Sequence, residues 1–125
     1  MKKIISLNVF DKELQICSES PLTGFYRDGC CTSSDQDKGE HRICAIMTRS
    51  FLEFSFQRGN DLITPNNIYG FPGLKDGDRW CLCSERWLES QKKGYAPKIL
   101  LRSTNKLVLN KIDIEILKKF ALDIS

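Results

Sequence analysis

The stretch G-F-P-G-L-K-D-G-D-R-W-C-L-C-S-E-R-W, Gly70 to Trp87, holds both tryptophans of the chain and two of its six cysteines. It joins a Gly/Pro-rich loop, a short strand and the start of a helix, and its reading decides the fold. Side chains alternate along a strand, so Arg79, Cys81 and Cys83 share one face while Trp80 and Leu82 take the other. Ser84 is read as the cap of a helix that runs to about Lys93 and stops at Gly94. Before this strand lie about twenty residues without periodicity, Gly59 to Asp78. A loop of that length in a compact domain is functional or conceals an element. Its Leu62, Ile63, Ile68, Tyr69, Phe71 and Leu74 carry enough apolar surface for an ordered, self-packed loop.

Upstream, Arg42-Ile43-Cys44-Ala45-Ile46-Met47 is a nearly continuous apolar run, the pattern of a strand covered on both faces. A helix follows, with Thr48 as N-cap, Phe51, Leu52, Phe54 and Ser55 as its stripe, and Gly59-Asn60 as its left-handed stop. From Ser18 to Glu40 the turn formers Pro21, Gly24, Asp28-Gly29 and Gly39 define a second long loop. Phe25 and Tyr26 pack its first half down, and Thr32 to Glu40 is polar enough to move. Ile4 to Val9 reads as a first strand, followed by a second apolar touch at Leu14 to Cys17. Downstream, Pro97 to Arg102 reads as a strand and Leu107-Val108-Leu109 as a further one. Asp113 caps a last helix in which Ile112 staples against Leu117, with Ile116, Leu117, Phe120 and Ala121 as the buried face. The sum is a single α+β domain over residues 1–125. It is a small two-layer arrangement, a short mixed sheet with about three helices on one face and two long ordered loops.

A chain of 125 residues buries roughly two-thirds of its unfolded surface and needs no cross-link or metal to fold. Its hydrophobic content of 41% and charged content of 28% are those of a soluble globular protein. No apolar run reaches the length of a membrane span. The lysine pairs behind the formal charge of +3 are scattered, which excludes the basic stripe of a nucleic-acid binder. Met1-Lys2-Lys3 and the following apolar segment lack a cleavage site, so a cytoplasmic location is expected. There the cysteines at 17, 30, 31, 44, 81 and 83 stay reduced.

The runs P-L-T-G-F-Y-R-D-G-C-C (Pro21 to Cys31), H-R-I-C-A-I-M-T (His41 to Thr48), F-L-E-F-S-F-Q-R-G-N-D-L (Phe51 to Leu62) and G-F-P-G-L-K-D-G-D-R-W-C-L-C (Gly70 to Cys83) resemble the bacterial family catalogued as domain of unknown function 2237. The resemblance covers Asn8 to Asp123 and is weakest over Ser33 to Glu40 and the C-terminal tail. It implies a single small α/β domain and carries no functional residue over to this chain.

Three functions compete. The leading one is a small-molecule binder whose pocket lies between the two long loops, with Arg27, Asp28, Cys30, Cys31, Asn60, Asp61, Tyr69, Arg79, Cys81 and Cys83 as candidate contacts. A zinc or iron protein is the second, with Cys30, Cys31, His41, Cys81 and Cys83, joined by Cys44, as candidate ligands. No C-x-x-C knuckle supports it, and His41 is the single histidine. The third is a cysteine-dependent enzyme, with His41 or an Asp as base and with Arg79 favouring a thiolate at Cys81. Against all three stands the plainer reading. Buried cysteines act as small hydrophobes, Cys44 and the tryptophans fill the core, and Arg27-Asp28, Asp76 and Asp78 serve turns and caps.

Overall fold

A computed structural model describes residues 6–124. Met1 to Ile5, with the start of the expected first strand, lie outside the described residues. The centre is an antiparallel pair, β1 (His41–Ile46) and β2 (Arg79–Cys83). Three α-helices, α1 (Arg49–Gln57), α2 (Ser84–Lys92) and α3 (Ile114–Lys118), complete the α+β domain, together with three single 3-10 turns.

The two faces of the pair have different tasks. Ile43, Ala45, Trp80 and Leu82 face the main core, against Phe51 and Leu52 of α1, Trp87 of α2 and Leu117 of α3. Cys44 and Cys81, direct cross-strand partners, face the opposite way into a small cluster with Cys17 and Cys31. A two-stranded pair is marginal by itself, and here neighbouring segments cover its edges. Ile46 donates to the Lys98 carbonyl and Leu100 donates to that of Cys44, which lays residues 98–100 along β1. Ile99 bridges antiparallel to Ala45 and parallel to Ala121. The expected strand over Pro97 to Arg102 is therefore present only as isolated bridges, and it bends into a 3-10 turn at Leu101–Ser103.

Two local readings differ from the structure. Ser84 is not a cap: Cys83 is the N-cap residue and makes no side-chain cap bond. The strand enters the helix without a loop, and the buried Ser84 hydroxyl turns back to donate to the Glu40 carbonyl at 2.9 Å. Leu107 to Leu109 is a 3-10 turn over Lys106–Asn110, because the Asn105 side chain accepts from the Leu107 N–H and winds the backbone. The other helix ends follow the expected chemistry. Thr48 accepts from the Phe51 N–H at 3.1 Å, and Asp113 accepts from the Glu115 N–H at 2.8 Å. At the end of α1, Gly59 takes φ +92°, its N–H reaches the Phe56 carbonyl and that of Asn60 reaches Ser55. This is the paired bonding of a Schellman stop.

Trp87 is fully buried, stacks edge-on against Phe120 at 5.2 Å and donates its indole N–H to the Pro97 carbonyl at 3.2 Å. Trp87→Ala is expected to lose about 3–5 kcal/mol of stability through the cavity it leaves, read as a lower urea midpoint. A loss under about 1 kcal/mol would mean that the core is not organised around it.

Candidate functional site

The β1–β2 register slips by one residue between His41 and Ile43, so that His41 opposes Cys83 and Ile43 opposes Leu82. The bulge re-aims the start of β1. His41 Nδ1 lies 2.7 Å from Asp37 Oδ1. Asp37 is buried, and its Oδ2 accepts from the His41 N–H at 2.8 Å and the Ser33 hydroxyl at 3.0 Å. A carboxylate in this role only accepts, which places the His41 proton on Nδ1 and leaves Nε2 as the basic atom. Phe25 stacks on the imidazole at 6.1 Å. A Cβ at Gly39 would stand 2.5 Å from His41 Cε1, so the ring fits only because that residue is glycine. The expected mobility of Thr32 to Glu40 gives way here to a segment tied down by one buried carboxylate.

Between the two long loops lies an open hollow of about 650 Å³. The first loop supplies Gly24, Phe25 and Arg27, the second supplies Asp61 to Phe71 in part, and His41, Trp80 and Cys81 complete it. Arg27 sits with its guanidinium carbon 5.1 Å from the Trp80 ring centre, a cation over an aromatic face, and donates to the Gly24 carbonyl at 2.6 Å. Phe71 meets Trp80 edge-on at 5.3 Å. Asp61 accepts from the N–H groups of Ile63 and Thr64, and bonding to Thr64 holds its carboxyl below the usual range.

Of the residues singled out from the sequence, Arg27, Asp61, Tyr69, Cys81 and His41 line the hollow. Tyr69 stands at its rim, 76% exposed. Asp28 is a turn residue that accepts from the Cys30 N–H and the Thr32 hydroxyl. Asn60 belongs to the stop of α1, and Arg79 is an exposed residue at the start of β2. Asp37, Phe25, Asn66 and the inward side of Trp80 were not singled out. For Asp37 the sequence signal was its i, i+4 spacing to the one histidine.

The cysteines depart most from expectation. Cys17 is bonded to Cys44 and Cys31 to Cys81, so four of the six are not free thiols. Cys81 is thereby unable to act as the thiolate expected beside Arg79. Nor is Cys44 only a core filler. The links pin Cys31 within the first loop, and Cys17 just before it, to the hairpin, closing 50 and 27 residues of chain. By chain entropy such closures contribute about 4 kcal/mol each. Cys30 and Cys83 remain free and half-buried. Burial first, then the charges of Asp28, Glu13 and Glu19, pushes the Cys30 thiol above its ordinary value.

Two outcomes follow for thiol labelling. The oxidised chain, unfolded without reductant, should take two alkyl groups by intact mass, and six after reduction. In the folded chain, alkylation of Cys30 should be slow at neutral pH and should speed up only above the range of an ordinary thiol, because the neutral form is favoured until then. Rapid modification of Cys30 at pH 7 would contradict this environment.

No curated protein matches the chain. A family model does, over residues 7–121 and so over nearly all of the described domain, and the chain belongs to that family, Uncharacterized protein conserved in bacteria (DUF2237).

Proposed function

We propose that this protein binds a small organic molecule in the hollow between its two long loops. The observation that carries the reading is the pairing of Arg27 over Trp80 with His41 backed by Asp37, both on the wall of one concavity. A volume of about 650 Å³ falls in the usual range for small-molecule sites, where apolar walls hold a few polar groups. Phe25 and Phe71 offer apolar surface to a planar ligand beside Trp80, whose ring Arg27 covers. Arg27 offers donors that suit an anionic or acceptor edge. His41 Nε2 faces no donor among the described residues and suits a ligand N–H or O–H.

Trp80 lines the hollow while Trp87 is buried in the core, so a ligand in the hollow perturbs one tryptophan of the two. A panel of planar carboxylates and phosphates, followed by ligand-observed NMR and tryptophan fluorescence, should yield a compound that changes Trp80 emission. Arg27→Ala should weaken its binding by about tenfold or more, as loss of a charge-assisted contact does. Binding untouched by both Arg27→Ala and His41→Ala would place the ligand elsewhere and defeat the reading.

A second reading, a cysteine-dependent enzyme, draws support from one observation. Free Cys83 is the cross-strand backbone partner of His41, and Asp37 is bonded to that histidine, so a thiol, an imidazole and a carboxylate come from neighbouring positions, the three groups that thiol activation uses. On this reading Cys83 should alkylate at pH 7 faster than Cys30, and His41→Ala should slow it severalfold. Equal rates for Cys83 with and without His41 would remove it.

A further inference from the structure

The four linked cysteines form a cluster that neither reading above uses. The sulfurs of Cys17, Cys31 and Cys81 all lie within 4.8 Å of one another, and Cys44 is bonded to Cys17. All four residues are at most 2% exposed. Because Cys44 and Cys81 are direct cross-strand partners, the two disulfides abut, and the Cys17 sulfur stands within 4.8 Å of both sulfurs of the other pair.

We propose that in the reduced protein these four sulfurs bind one zinc ion as a closed tetrathiolate site. Sulfurs placed tetrahedrally at about 2.3 Å from zinc are about 3.8 Å from each other. Three of the sulfurs, those of Cys17, Cys31 and Cys81, already stand within 4.8 Å of one another; binding requires each bonded pair to part to about 3.8 Å on reduction and Cys44, freed from Cys17, to join the other three. The residues come from four separate segments, and each backbone is held by bonds that do not pass through sulfur. Cys17 donates to the Gly29 carbonyl at 2.8 Å, and the Cys31 carbonyl accepts from Asn105 Nδ2 at 3.0 Å. Cys44 donates to Thr104 Oγ1 at 3.2 Å, and Cys81 donates to Thr23 Oγ1 at 2.8 Å. None of these anchors passes through a sulfur link, so in a folded reduced chain they would keep the sulfurs gathered. No C-x-x-C knuckle is needed, because the fold and not the local chain assembles the ligands.

The chemistry balances with a dithiol reductant. Each protein disulfide accepts two electrons and two protons from one dithiol, which leaves as its own disulfide. Four protein thiols result from two equivalents. Entry of one Zn²⁺ then releases four protons to solvent, so affinity falls steeply as pH is lowered.

The test uses the full chain, reduced under nitrogen and titrated with cobalt(II), which reports its coordination in visible light. One equivalent should give the intense ligand-field bands of tetrahedral cobalt thiolate, and zinc should abolish them by displacement. Cys44→Ser should weaken zinc binding by more than the roughly 100-fold that outer-shell changes cost, whereas Cys30→Ser and Cys83→Ser should leave it unchanged. If the reduced chain loses its fold, zinc should restore the circular dichroism of the native protein. A reduced chain that takes up no cobalt, a loss caused by Cys83→Ser in place of Cys44→Ser, or an unfolded reduced chain that zinc does not rescue would each overturn the site. Cobalt uptake reads the sulfurs alone, so its failure leaves the ligand reading of the hollow intact.

Discussion

The structure hangs on one cross-strand pair, Cys44 opposite Cys81. Their N–H groups point away from each other, Cys44 to Thr104 Oγ1 and Cys81 to Thr23 Oγ1, as at a non-hydrogen-bonded site of an antiparallel ladder. In a sheet only two strands wide, both outward donors face whatever covers the edges. An uncovered edge would leave buried N–H groups unpaired, which is costly. Two fully buried threonine hydroxyls supply the acceptors. The side chains of the same two residues meet Cys17 and Cys31, so β2 holds the first loop by both backbone and sulfur, while β1 holds Thr104 by its backbone and the start of that loop by sulfur. A hairpin too small to stand alone becomes the centre of a domain in this way.

The hollow is a consequence of that fastening. Thr23, held at the edge of β2, is followed at once by Gly24, which takes φ +101° and lies so close to the Cys30 carbonyl that a Cβ would come within 2.3 Å of it. The chain then turns Phe25 and Arg27 toward Trp80. The second loop is closed by the same device. Gly73 takes φ +79°, a Cβ there would lie 2.3 Å from the Ile63 carbonyl, and Leu74 donates to Leu62 at 2.8 Å to draw its ends together. Neither loop is slack, and the space between them follows from how each is pinned at its base.

What the sequence disclosed was what local chemistry determines. Thr48, Gly59 and Asp113 act within a few residues of themselves, and α1 and α3 begin or end where those residues say. The alternation of Trp80 and Leu82 against Cys81 likewise needs only the pleat. Reading failed where a distant partner decides. Ser84 has the composition of a cap, yet a carbonyl forty-four residues away takes its hydroxyl. Leu107 to Leu109 has the composition of a strand, but no neighbour among the described residues offers it a ladder and Asn105 winds it instead. Pro97 to Arg102 does lie beside β1, and only a few of its residues pair. Asp37 sat in the segment that looked most mobile, because polarity was visible and its burial was not. The cysteine pairings had no local signature at all, since 17, 31, 44 and 81 are brought together only by the edges of the hairpin.

Cys81 is the one residue common to the sulfur cluster and the hollow. Its N–H fixes Thr23, its sulfur fixes Cys31, and Arg27 lies between those two points of the loop, over the neighbouring Trp80. The position of the guanidinium is therefore set by two anchors on a single strand residue, one a hydrogen bond and the other a sulfur link. The hydrogen bond does not depend on the state of the sulfurs; the covalent link does. A metal-held cluster would retain both constraints, because a thiolate of Cys31 and one of Cys81 bound to the same ion stay as close as the geometry of zinc dictates. The wall of the hollow is thus compatible with either state of the four sulfurs, and reducing conditions need not dismantle it.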